Sequence, residues 1–426
     1  MKNRISIILT LCLLCAWLGG CGDGDFVSQV SPQGPDKGEK PNVTLCTDLH
    51  PGEGAYDGDV IQDFLDTVPG YNEEFTVTVE RIPQEGTQRE TAISRIRTEI
   101  VSGAGPDVFF CVCGEDGLFQ YPQALMERGG FLPLDSYISQ AQYLEWDSLI
   151  PVLMEAGRAE KGQMLLPVSY SLKASLVEKE GCNLSETLPL TWDQALASQD
   201  PWVRSACWKL DRFDEVLGEL ADYNQDVLTF SEDELAARLE EASQATIVEE
   251  VRQEGAPLFL PDITISPSNV DMLSPKSPEY IMIPQYNTSG GVTASITGFV
   301  GINANARNPE AAFRLVDWLF SRESREKSEI NIYFTGLPTD IELAQKEHTL
   351  RYIDNVSQRK KWYLGEWNYQ QIRSLIGQIN AVNFITPLNG EMNTLFQEYR
   401  AEDDPDKRQA LIHKHYSTMQ MMVAES

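Results

Sequence analysis

The sequence predicts an α/β fold in two lobes. Strand-like and helix-like segments alternate through residues 43–150, the pattern of a parallel sheet covered by helices. Within them "PDVFFCVC" is a continuous apolar run, the signature of a strand buried on both faces. About 385 residues run from Val43 to the end. That exceeds one ordinary core and fits two lobes of ~100–200 residues each.

The elements follow in order. "VTLCTDL" is a β-branched run and reads as the first strand. Val60, Phe64, Leu65 and Val68 form a helical stripe, and "FTVTVERI" alternates as a strand. Ile93, Ile96 and Ile100 line one side of a helix that Gly103 stops. After "PDVFF", the stretch "ALMERGGFLPLDSYI" reads as a helix, a Gly-Gly break and an extended piece. From 151 to 284 the chain is more helical and more acidic. Ser231 and Glu234 make a capping box before "ELAARLEEAS". Asn308 and Pro309 start a helix whose buried stripe is Ala312, Leu315, Val316 and Leu319. The tail from Asn389 to Ser426 is mostly helical, and there are no internal repeats.

Ahead of this body, Lys2 and Arg4 precede about thirteen apolar or near-apolar residues, "ISIILTLCLLCAW". A membrane-spanning helix needs about 20, so the run reads as a secretory signal. Residues 22–42 are rich in Gly, Pro, Asp, Ser and Lys, a tether composition. The formal net charge is −30, from 34 basic and 64 acidic residues. That balance disfavours nucleic-acid binding and tight docking on anionic lipid, which both need clustered cations. Five cysteines follow Cys21: Cys46, Cys111, Cys113, Cys182 and Cys207. An odd number cannot all pair within one chain. The spacing matches no zinc or redox motif, and buried free thiols are the default.

Several segments resemble a known family. "LGGC" at Leu18–Cys21 resembles the bacterial lipobox, in which the cysteine is lipidated. "TEIVSGAGPDVFF", "MERGGFLPLDSYI", "GQMLLPVSYSLKASLV" and "LPLTWDQALA" resemble, in order, motifs of extracellular solute-binding lipoproteins of ABC importers. The segment from Tyr280 to Glu326 and the tail from Glu391 to Glu425 extend the resemblance to the end. The family is the carbohydrate-type family 1, related to maltose-binding proteins. The resemblance implies a two-lobed periplasmic-binding-protein-like fold of type II. Each lobe is then a sheet flanked by helices, with the ligand cleft between them. It implies a signal peptide over 1–20, a tether over 21–42, a first lobe of 43–150 with 285–328, and a second of 151–284 with 329–426. It further implies capture of a small solute, a sugar or oligosaccharide first, and delivery to a permease. The protein would be a monomer, held outside the cytoplasm by lipid at Cys21, with no cofactor, metal or catalytic residue. Residues 200–285 are less typical of the family, and Trp202, Trp208 and the "SPSNVDMLSPKSPEY" loop have no counterpart in it.

In this fold ligands meet the carboxyl ends of strands. Sugars need flat apolar faces beside hydrogen-bonding edges. The candidate contacts are therefore Asp48, the run Cys113, Gly114 and Glu115, then Ser169 and Tyr170 on the inter-lobe strand. Tyr286, Ser289 and Gly290 follow in the Pro-turn, with Trp362 and Phe384 as stacking aromatics. Each has a plainer reading. Cys113 also reads as an inert thiol, Trp362 and Trp367 as packing. Asp107 reads as a turn and cap residue, Trp192 and Trp318 as core support.

Other functions stay open at this level. An exported hydrolase lacks support from G-x-S-x-G, H-E-x-x-H or P-loop motifs, none of which occurs. His413 and His415 are two apart on an expected helix and do not share a face. A sensory surface lipoprotein of the same fold, or a peptide or polyamine cargo, fits the sequence as well.

Overall fold

The computed structural model describes residues 40–50, 59–184, 190–208, 210–266, 269, 272–327, 336–340, 350–353, 359–362 and 364–426. Cys21 and the expected signal peptide lie outside them. The strands of the main sheet are β1 (Asn42–Thr47), β2 (Thr76–Arg81), β3 (Val108–Val112), β4 (Leu165–Glu178), β5 (Phe259–Ile265), β6 (Tyr280–Pro284), β7 (Val292–Ile302), β8 (Leu337–Pro338) and β9 (Ile379–Phe384). The helices used below are α1 (Val60–Leu65), α2 (Gly86–Val101), α3 (Pro122–Glu127), α4 (Trp192–Leu196), α5 (Pro201–Ala206), α6 (Asp214–Leu217), α7 (Glu232–Gln244), α8 (Pro309–Leu319), α9 (Glu366–Ile376), α10 (Pro387–Ala401) and α11 (Pro405–Glu425).

The sheet order is β6-β4-β7-β3-β1-β2, with β5 and β8 also paired to β4 and β9 to β7. β1 lies parallel to β2 and to β3, as helical crossovers require. Two long strands tie this part to the rest. The first half of β4 pairs with β7, and its second half with β5 and β6. β7 mirrors this: Gly298–Ile302 run antiparallel to β3, while its first half runs parallel to β9. Such strands carry side chains buried on both faces. Every residue of β7 is buried, as is β4 up to Val177.

Local chemistry explains the elements. Asp59 caps α1 by accepting from the Ile61 and Gln62 N–H groups. Thr191 and Gln194 close a capping box on α4, and Ser231 accepts from Glu234 N–H at α7. Gly103, at φ +79°, ends α2. Asn308 precedes α8 as expected, yet its side chain does not cap the helix; its amide donates to the Asn42 carbonyl on β1. The piece read as extended after the Gly-Gly break contains a short helix, Asp135–Ile138. The Asp135 carboxylate accepts from Gln163 N–H and pairs with Arg158, and this non-local anchoring is invisible to periodicity. Asp107 is buried and ties Thr44 N–H to Arg307 N–H, while Trp192 and Trp318 are core residues.

Two hydrophobic clusters result. The larger one gathers β1, β3, β4 and β7 with α1 and α8, and runs on through β9 to Ile372 and Leu375 of α9. The second gathers α4, α5, α7, α10 and α11. All five cysteines among the described residues are free thiols, Cys182 and Cys207 included. Burial pushes each thiol up.

α8 also pins a loop. The buried Asp317 carboxylate accepts three backbone N–H groups, from Gln142 (2.9 Å), Tyr143 (2.9 Å) and Leu144 (2.7 Å). An amide in its place offers one acceptor oxygen and turns an N–H toward a donor. Asp317→Asn is expected to lower stability by about 1–3 kcal/mol, measured by urea unfolding.

Candidate functional site

The loops that follow β1, β2 and β3 are stapled together at their carboxyl ends. Arg89 on α2 donates to the carbonyls of Pro83 and Asp116, and its guanidinium lies 3.6 Å from the Asp48 carboxylate. Asp48 in turn accepts Val112 N–H at 3.0 Å. Burial raises the Asp48 carboxyl, and this hydrogen bond and Arg89 only partly offset that. The staple leaves Glu115 exposed at the loop tip. Its carboxylate sits against Gly390 in the first turns of α10, where any Cβ would collide with it. The N-terminal end of a helix favours a carboxylate there.

Behind that contact lies a charged array. Arg212 grips Asp214 through two hydrogen bonds of 2.9 and 2.8 Å. Asn389 and Asn393 of α10 donate to the same carboxylate at 2.7 and 2.9 Å. Burial pushes Asp214 up, but Arg212 and the two amides outweigh it and hold the group below the usual carboxylate range. Glu215 is buried next to it and accepts from the Ser295 hydroxyl on β7 at 2.8 Å. Burial raises Glu215 to about 7; Asp214 adds to the rise while Arg212, Ser295 and Lys173 oppose it. Lys173 of β4 pairs with Asp262 of β5 at 3.3 Å, and Asp262 accepts Asp211 N–H. Asp262 has φ +53°, an uncommon value for a residue other than glycine, and burial raises its carboxyl to about 6.

A groove of about 270 Å³ lies near this contact. One wall is α3 and the segment 152–158; the other is the hairpin around Ala221–Asp222 and residues 380–382 of β9. Tyr223, which lines it, has its ring centroid 6.2 Å from that of Tyr121. The groove is acidic. Burial and Asp222 raise both Glu127 and Glu219.

The expected contacts fall into three sets. Asp48, Cys113, Gly114 and Glu115 share the stapled strand ends; Cys113 is a half-buried thiol beside Asp48. Ser169, Tyr170, Tyr286 and Phe384 are buried. Ser169 hydrogen-bonds Thr297 at 2.7 Å, and Phe384 packs on Phe299 at 5.6 Å. The Tyr170 hydroxyl has no hydrogen-bond partner among the described residues, and burial raises it far above its ordinary range. Ser289 and Gly290 form the turn before β7, with Gly290 at φ +81°. Trp362 lies on a separate two-stranded ribbon, opposite Leu350. Trp367 donates its indole N–H to the Tyr280 carbonyl and is capped by Lys179, a packing role.

No protein-family profile matches the sequence, and no curated protein sequence does. Solved structures do. A family 1 extracellular solute-binding protein from Alicyclobacillus acidocaldarius superposes with a TM-score of 0.57 at 12% identity, over 90% of this chain and 99% of that one. An ABC substrate-binding protein from Listeria monocytogenes, solved with cycloalternan, gives 0.53 at 14% identity over 91% and 100%. An oligogalacturonide-binding protein from Yersinia enterocolitica gives 0.54 at 13% over 90% and 99%. The chain has the two-lobed solute-binding-protein fold. Two designed esterases match as well, at TM-score 0.55 with 13% and 12% identity, so the likeness speaks for fold and not for activity.

On this type II fold, Arg212, Asp214, Glu215, Asn389 and Asn393 are residues that the sequence reading did not single out. Tyr223, Glu127 and Glu219 are others. Most sit in or beside residues 200–285, the stretch less typical of the family. A faint signal existed in "DRFDE", a cation between acids in an otherwise apolar context, and in the turn-rich "ADYNQDV".

The buried carboxyl gives a pH signature. Glu215 binds its proton more tightly when folded (about 7) than at its ordinary 4.5. The stability it contributes is therefore full below about 4.5 and is lost as pH rises through about 7. Glu215→Gln keeps the shape and cannot ionise. Its melting temperature is expected to fall less than the parent's between about pH 5 and about pH 8, with the residual slope owed to Asp262.

Proposed function

We propose that this chain is an extracytoplasmic solute-binding protein that captures a sugar or oligosaccharide and passes it to an ABC permease. One observation carries this reading. The exposed Glu115 faces the first turns of α10, and behind them stand Arg212, Asp214, Asn389 and Asn393. The exposed Glu115 carboxylate on one wall, and the partly exposed Arg212 guanidinium and Asn393 amide on the other, are groups that a polyhydroxylated ligand needs. The solved relatives with cycloalternan and oligogalacturonide fit the same reading.

In this proposal the first lobe is 43–150 with 285–328 and the second is 151–284 with 329–426. β4 and β7 are the strands about which they close. Ligand favours the closed form because only there do both walls touch it. No bond is made or broken, and the chain is not an enzyme. The lipid on Cys21 anchors the monomer, and the permease reads the closed lobes. Of the described residues, no helix is long and apolar enough to cross a membrane.

A polyamine or other cationic cargo is the second reading. The groove favours it, because Glu127, Glu155, Glu219 and Asp222 line it and Arg158 is the cation among them.

The test is a thermal-shift screen against mono-, di- and oligosaccharides, amino acids and polyamines. A cognate sugar at ~100 times its dissociation constant adds ~2.7 kcal/mol of stability and is recovered unchanged. Stabilisation by a polyamine alone would move the cargo class. Consumption of the sugar would remove the binding-protein reading. Glu115→Ala is expected to leave the unliganded melting point in place and weaken the sugar response by about tenfold in affinity.

A further inference from the structure

A further cavity lies elsewhere, on the outer side of α8. It measures about 560 Å³, within the range of small-molecule pockets. Its walls are the turn between α1 and β2, the segment 136–143 and α8. It shares no residue with the Glu115–α10 contact or with the acidic groove.

The chemistry of the walls is specific. Tyr137 stacks at a tilt on Phe313, with ring centroids 5.3 Å apart. Tyr143 stands edge-on to Trp318 at 5.0 Å and is still 37% exposed. Trp318 is itself fixed, its indole N–H donating to the Thr67 hydroxyl at 3.0 Å. The backbone that carries Gln142 and Tyr143 is held by the three hydrogen bonds to Asp317. An exposed aromatic ring is thus locked in place from two sides, with the cost of ordering it met before anything binds. Around it stand Gln140, Gln142 and Glu310, and Arg314 paired to Glu74.

Rigid aromatic surface beside amides and carboxylates suits a sugar ring, which offers an apolar face and hydroxyl edges. Carboxylates outnumber the one guanidinium in the lining, so phosphate and other anions are disfavoured. We propose that this pocket is a second carbohydrate site, outside the inter-lobe cleft and open in either lobe arrangement. It holds the end or a branch of a glycan and concentrates it near the cleft. This inference stands independently of the cargo assigned to the cleft.

The experiment is saturation-transfer NMR on the full-length protein, with maltotriose, cellotriose and mannotriose as probes at millimolar concentration. The parent, Glu115→Ala and Glu115→Ala combined with Tyr143→Ala are compared. At least one trisaccharide is expected to give transfer that persists in Glu115→Ala and weakens about tenfold or more when Tyr143→Ala is added to Glu115→Ala. Gln142→Ala in the same background, which removes an exposed amide and leaves the backbone clamp, gives the same direction if Tyr143→Ala melts early. No transfer from any of the three trisaccharides overturns the proposal. So does transfer that survives both pocket variants in that background, or transfer that Glu115→Ala abolishes. Because Glu115 reports on the cleft and Tyr143 on this pocket, failure of one reading is distinguishable from failure of the other.

Discussion

The pairing of β4 with two different sets of neighbours is the constraint on which this structure rests. A strand of 14 residues is long, and here its halves satisfy their backbone groups in different company. Its first half completes the sheet with β7; its second half carries β5 and β6. Both faces of such a strand must be apolar or internally satisfied. Where polar side chains intrude, they are matched: Ser169 with Thr297, Lys173 with Asp262. Register shifts interrupt the pairing of β4 with β7, between Pro167 and Ser169, and with β5, between Ala174 and Leu176. A change in β4 would thus be felt on both sides of the molecule at once.

The charged array behind α10 shows what such a junction tolerates. Arg212, Asp214 and Glu215 put one cation against two acids in a setting remote from water. Isolated, either carboxylate would be expensive to ionise. Asn389 and Asn393 add donors to Asp214, so that group stays ionised while Glu215 takes the rise. The burden is distributed by hydrogen-bond count, and the member with fewer donors takes the upward shift.

Much of the fold was legible in the sequence for a physical reason. The periodicities of "VTLCTDL", of the Ile93–Ile96–Ile100 stripe and of the α8 stripe are local, and β1, α2 and α8 appear where they predict. "PDVFFCVC" reads as doubly buried because β3 has neighbours on both edges and both faces. The site was less legible. The position of Asp48 and Glu115 after strands could be read, because strand ends in an alternating pattern are predictable. Arg212, Asp214 and Asn389 could not, because their association spans about 175 residues of chain. Tyr170 and Phe384 are buried, and an aromatic on such a strand carries the same local signal whether it faces ligand or core.

The pairing of β3 with β7 has a temporal consequence. Val108 meets Ile302, and Val112 meets Gly298. Until residue 302 is available, β3 has an open edge and the larger core lacks the strand that closes it. The β1–β2–β3 portion is complete in sequence by residue 112 and waits for nearly two hundred more. Sheets built from such distant partners form slowly, since the intervening loop must be closed before any contact rewards it. The β1–β2–β3 portion therefore gains its closing edge only after β7 has been made.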